Sequence, residues 1–190
     1  TASDANRDLR AVELFKAVEL RDYFKDDCVD AARQRVVNLE SMAQSAITIY
    51  PILLPERTEL LLSLPGGLQR VTVPVTAERL TQEVRELRRL LEKVTTREYL
   101  PHAQQLYDWL IRPIEATLAS TAIDTLVFVP DGPLRTIPMA ALHDGQQFLI
   151  QKYAIATTPG LKLTDPRPLP QGKTQILALG RQNKMTGAAE

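Results

Sequence analysis

Residues 126–133 read Leu-Val-Phe-Val-Pro-Asp-Gly-Pro, and no other stretch narrows the fold as much. Leu126-Val127-Phe128-Val129 is rich in β-branched and aromatic side chains, which suit a strand. It is cut off at once by Pro130-Asp131-Gly132-Pro133, a run of turn formers. Both faces of the strand are apolar, which points to a covered, mostly parallel sheet rather than a half-wet hairpin. The segment Ile137-Pro138-Met139-Ala140-Ala141-Leu142 then fits one or two helical turns. Pro138 falls in the first turn, where its missing N–H is no loss.

Upstream, the spacing of Leu9, Val12, Phe15 (or Leu14), Val18 and Phe24 predicts a helix over 6–26. Asp26-Asp27 breaks the pattern. A second helix is expected from about Val29 to Ala43, with Ala32, Val36 and Leu39 or Val37 turned inward, so the two form a helical hairpin. No ~34-residue repeat period is present. From Ala46 the period shortens. Ala46–Tyr50 reads as a strand, although Pro51 and Pro55 limit its use as a central one. Thr58–Leu64 and Leu68–Val75, joined by Pro65-Gly66-Gly67, complete a short antiparallel meander, with Pro74 at an edge or strand end.

Thr76 is placed to cap the next helix, with Glu78 in its first turn. Leu80, Val84, Leu87, Leu91 and Val94 mark its inner face, and Arg79, Glu83, Glu86, Arg89 and Glu92 its wet one. Thr95 and Glu98 have capping-box spacing for another helix reaching about Ser120. Its buried line is Leu106, Leu110, Ile114 and Leu118, and Pro113 should kink it or start a new segment. Beyond the strand at 125–129, strands are expected near Tyr153–Thr157 and Thr174–Leu179. They are separated by a loop carrying Pro166, Pro168 and Pro170, and residues 181–190 read as a tail.

Pro130-Asp131-Gly132, Leu134, Ile137-Pro138, Ala141-Leu142 and Leu149 are set out as at the start of a CHAT domain. That is a caspase-like domain often found beside tetratricopeptide repeats. The resemblance continues through Tyr153-Ala154-Ile155, Pro159 and Ile176–Gly180. Upstream, Ile49-Tyr50, the strand pair 58–75 and Gln105–Ile114 resemble the family's lead-in, so the likeness spans roughly 46–180. It implies an α/β fold: a partial caspase-like, mostly parallel sheet preceded by helices and a small antiparallel β-meander. Residues 1–45 would be a helical linker or the end of an upstream repeat region. Residues 46–190 would be the front portion of the domain.

Caspase-like peptidases use a Cys–His pair, in which the imidazole promotes the thiolate and backbone donors hold the oxyanion. The resemblance places that His, usually followed by Gly, at the end of a strand after the one matching 174–179. The Cys ends the strand after that. No segment here resembles either, so no catalytic, cofactor-binding or metal-ligating residue is carried over. The function expected is the structural, pre-catalytic portion of a cysteine endopeptidase region, inactive without its dyad. The alternative is a non-catalytic protein–protein interaction or scaffold module.

The remaining candidates have plainer readings. His143, in Leu-His-Asp-Gly, suits a surface or turn-stabilising role, and His102, after Pro101, a structural one. Cys28 sits beside Asp26, Asp27 and Asp30, which disfavour a thiolate. Asp131 reads as a turn residue capping nearby N–H groups. Gly172-Lys173-Thr174 is no phosphate loop: the pattern needs glycine at position 167, which is Arg167, and the triplet precedes a strand instead of opening a helix.

The 190 residues suffice for one domain with a sizeable core. Basic and acidic residues balance at 23 each, aromatics are 5%, and no basic–aromatic stripe occurs, so nucleic acid is not an expected partner. A single cysteine excludes an internal disulfide and a Cys-rich zinc site, and fits a reducing, cytoplasmic setting. No run approaches the ~18 apolar residues of a bilayer span, and the first residues lack a signal-peptide pattern. The expected partner is protein or peptide, including the rest of the domain, upstream repeats or a second copy at an open sheet edge, and no cofactor is expected.

Overall fold

A computed structural model of the chain describes residues 7, 9–14, 16, 18, 45–64, 67–93 and 95–160. The expected second helix at 29–43, Cys28, Phe15, Phe24, Pro65-Gly66, Val94 and the strand at 174–179 lie outside them. So does the proline-bearing loop between the last two strands.

The described part is built on one five-stranded sheet. Its strands are β1 (Ala46–Leu53), β2 (Thr58–Leu64), β3 (Gly67–Val73), β4 (Thr125–Phe128) and β5 (Ala154–Thr157), in the spatial order β3-β2-β1-β4-β5. β1 pairs antiparallel with β2, and β2 with β3. β1 pairs parallel with β4, and β4 with β5. The sheet is therefore mixed, and the meander is half of it rather than an appendage. The expectation of a mostly parallel sheet is corrected to that extent.

β1 is central despite Pro51. The Val129 N–H donates to the Ile49 carbonyl, so strand alternation turns the Pro51 nitrogen towards the same side. The parallel ladder pairs Ile49 with Phe128 and goes no further, so Pro51 withholds no ladder bond. Pro74 lies just past the end of β3, the edge strand, as its chemistry requires.

Two faces of unequal depth follow from the alternation along the strands. The front face carries Ile47, Ile49, Leu60, Leu62, Leu126 and Phe128 into the main core. It is covered by α2 (Ala77–Leu91), α3 (Tyr99–Leu110) and α4 (Glu115–Ser120), after an N-terminal helix α1 seen at residues 7, 9–14, 16 and 18. Thr76 caps α2, its side chain accepting the Arg79 N–H at 3.2 Å. Leu80, Val84, Leu87 and Leu90 are buried, while Leu91 packs at the margin, so the helical phase favours Leu90 over the expected Leu91. α3 starts at Tyr99, with Glu98 in the cap position and no side-chain cap bond, so the Thr95–Glu98 capping box does not form. Pro113 sits in a single 3-10 turn, Arg112–Ile114, and a fresh helix begins at Glu115. Leu106, Leu110, Ile114 and Leu118 are all buried across that break.

The back face is covered by α1. Leu9 packs with Tyr50, Leu61 and Val129, and Val12 joins them. Leu9 and Val12 of the expected inner line face the sheet, but Val18 and Leu14, the alternative to Phe15, are exposed, whereas Glu13 and Lys16 are buried. After β4 the chain makes 3-10 turns at Gly132–Thr136 and Met139–Ala141, with Pro138 preceding the second as its cap residue. β5 has exposed Ala154, Ala156 and Thr157, and ends the strand order among the described residues.

Candidate functional site

In open α/β sheets the carboxyl ends of parallel strands gather ligand-binding groups, because the loops there leave the sheet in different directions. β4 delivers Val129, Pro130, Asp131 and Gly132 to that end, and β5 delivers Thr158, Pro159 and Gly160. Gly132 has φ +47, a left-handed conformation that lets the strand fold directly into a 3-10 turn. The Asp131 carbonyl closes the turn by accepting the Leu134 N–H at 3.1 Å. The Asp131 side chain caps no N–H, contrary to its expected role. Its Oδ1 instead lies 3.2 Å from Arg135 and 3.6 Å from Lys16.

α1 reaches this end from the back of the sheet. Lys16 Nζ donates to the Pro130 carbonyl at 3.1 Å. One turn earlier, Glu13 Oε1 accepts the Tyr50 hydroxyl at 2.7 Å. Burial pushes the Tyr50 phenol well above its usual range, and the neighbouring Glu13 carboxylate adds to the shift. Tyr50 is therefore a fixed hydrogen-bond donor, not a base. At the outer margin of the same sheet, buried Glu59 takes hydrogen bonds from Arg57 and Thr72. Burial opposes its ionisation, but those donors outweigh it and hold the carboxyl below its usual range.

A second polar cluster lies at the opposite end, before β5. The Tyr107 hydroxyl donates to Glu115 at 2.6 Å and accepts from Lys152 Nζ at 3.0 Å. Lys152 also donates to Asp144 Oδ2 at 3.2 Å, and Arg112 donates to Asp108 at 2.6 Å and to the Asp144 carbonyl at 3.2 Å. Burial and the Glu115 acceptor raise Tyr107 to about 12. Burial works against a charged Lys152, yet the Tyr107 hydroxyl and Asp144 raise it overall. A tyrosine and a lysine both moved away from neutrality cannot trade protons near pH 7. The cluster ties the loop before β5 to α3 and α4.

The two histidines have separate duties. His102 Nδ1 lies 2.6 Å from Glu83 Oε1, joining α3 to α2. His143 is buried and packs edge-on against Phe148 at 4.8 Å, so it is not the surface residue its neighbours suggest. Its Nδ1 accepts the Gly145 N–H at 3.0 Å, stabilising the turn from within. Among the described residues, no group of three or more His, Cys, Asp or Glu could hold a metal ion. Nor is any described helix long and apolar enough to cross a membrane. A shallow depression on α2 is lined by Ala77, Glu78, Thr81, Gln82 and Arg85, all from one helix, so no groups converge on it from different elements. Sequence reading missed Glu13 and Lys16 at the β4 end. The available signal was their spacing, since positions 9, 12, 13 and 16 share one helical face.

A mixed α/β sheet backed by helices, with a Pro-Asp-Gly turn closing the interior parallel strand β4, defines an α/β domain. The CHAT domain family model matches residues 100–189, and that segment belongs to the CHAT domain family. Within it lie all of α3 but Tyr99, and α4, β4, the 3-10 turns and β5. None of the curated proteins searched matches the chain.

Proposed function

We propose that this chain is the structural, pre-catalytic portion of a CHAT-type, caspase-like cysteine endopeptidase region. Residues 46–190 form the front of the domain, and residues 1–45 a helical linker or the end of upstream repeats. The reacting His and Cys come from sequence continuing the sheet beyond β5, and the substrate is a protein or peptide. The observation that carries this reading is the family match over 100–189, which covers β4, the turn after it and β5. The described strand ends, Pro130-Asp131-Gly132 and Thr158-Pro159-Gly160, contain no thiol and no imidazole. A sheet of this kind supplies a floor for chemistry performed by neighbouring strands.

The 190-residue chain is expected to hydrolyse no peptide in a Cys28-dependent way, measured with the purified chain and its Cys28→Ala variant on a denatured protein mixture. A longer chain continuing past residue 190 should cleave, and should stop when the downstream Cys is changed to Ala. Cleavage that survives that change would remove the peptidase reading. No cleavage at all, together with retained binding to a protein partner, would favour a non-catalytic interaction or scaffold module.

A further inference from the structure

Glu13 and Lys16 are only 5% and 3% exposed, though both carry charge. Burying an ion is costly unless hydrogen bonds or an opposite charge meet it. An apolar side chain would cover the sheet without that cost, so the two charges call for an explanation beyond coverage. Their partners differ. Glu13 meets Tyr50 on β1 at 2.7 Å. Lys16 meets the turn at the end of β4, 3.1 Å from the Pro130 carbonyl and 3.6 Å from Asp131 Oδ1. Arg135 reaches the same two groups, at 3.3 Å and 3.2 Å. The Pro130 carbonyl is thus held between a cation belonging to the turn and a cation arriving from α1.

We propose that α1 is a positional latch on the Pro130-Asp131-Gly132 turn, with Lys16 as its positioning residue. Seating α1 on the back of the sheet brings the Lys16 ammonium under the Pro130 carbonyl and beside Asp131. That contact fixes the direction in which the chain leaves β4. Lifting α1 withdraws the ammonium and leaves Arg135 as the remaining cation seen on the Pro130 carbonyl among the described residues. Because α1 precedes the sheet in the chain, a displacement of α1 passes to the carboxyl end of β4 through Lys16, beside the packing of Leu9 on Val129. The bearing on catalysis rests on the reading above, in which this end of the sheet borders the reacting groups. The latch itself does not.

The test is amide hydrogen exchange by NMR on the 190-residue chain, comparing Lys16→Met with Glu13→Gln. The Leu134 amide, which reports closure of the turn onto the Asp131 carbonyl, is read relative to the β1 amides. Lys16→Met should lower the relative protection of Leu134 by about tenfold or more, and Glu13→Gln by less than about threefold. Equal losses in the two variants would mean that α1 merely covers the sheet, and would overturn the latch. So would unchanged protection in Lys16→Met. If Lys16→Met gives no dispersed spectrum, Lys16→Gln is measured against the same two criteria. The readout needs no peptidase activity, so a failed latch and a failed peptidase reading are told apart.

Discussion

Asp144 is the residue at which the loop before β5 is decided. Its Oδ1 accepts the Gln146 and Gln147 N–H groups at 2.7 Å and 2.8 Å, and its Oδ2 accepts from Lys152. Burial works against its charge, but the Gln147 and Gln146 amides and the Lys152 ammonium lower the carboxyl to about 2 from its ordinary 3.8. A depressed carboxyl adds stability above its unfolded value and loses it as pH falls through the folded one. The native chain should therefore lose on the order of 1 kcal/mol from this group, after solvent screening, as pH drops through that window. Asp144→Asn should be less stable at neutral pH and flatter across the window, as read from urea unfolding at a series of pH values. Gly132 makes a separate residue-scale case. Its φ is +47 and a Cβ there would meet nothing within 4 Å, so only backbone preference opposes substitution. Gly132→Ala should cost about 1 kcal/mol in chemical denaturation, and Gly132→Asn less.

At the scale of elements, α2 and α3 show how far local pattern reaches. Thr76 followed by an amphipathic run was a readable helix start, and the hydroxyl does cap it. Thr76→Ala should destabilise the chain by about 1 kcal/mol without altering far-UV circular dichroism of the folded state. Leu106 is fully buried in the main core, and Leu106→Ala should cost about 2–5 kcal/mol in the same measurement. Pro113 broke the helix where its missing N–H demanded, because a proline ring clashes with the preceding turn. α1 shows where local pattern stops. An inner line of apolar residues alone includes Val18 and Phe15 or Leu14, but Val18 and Leu14 are exposed and the face on the sheet includes Glu13 and Lys16. The positions of Tyr50, Pro130 and Asp131, far along the chain, help to make buried charge tolerable there. The capping box at Thr95 failed for a related reason: the helix begins at Tyr99, so the Thr95 hydroxyl is not at its cap position.

At the scale of the whole molecule, the meander and the parallel strands share β1, so the sheet cannot open at one half without exposing the other. Trp109, the chain's one tryptophan, is buried in the core on the front face of that sheet. Its fluorescence and the far-UV circular dichroism should follow coincident transitions in urea. Two separated transitions would mean that residues 46–75 fold as a unit apart from the parallel strands. By itself the sequence determined a strand at 125–129, which the structure ends at Phe128, the turn that ends it, the buried line through Leu106 to Leu118 and the likeness to the CHAT family. The first three are set by periodicity and by proline and glycine chemistry within a few residues, while the likeness rests on the motif residues from Pro130 to Gly180 that resemble the family. Only the tertiary structure decided that β1 stands at the centre of one mixed sheet and that Lys16 meets Pro130. Strand partners and buried-charge partners are chosen by burial between segments distant in the chain, and no local period encodes that choice.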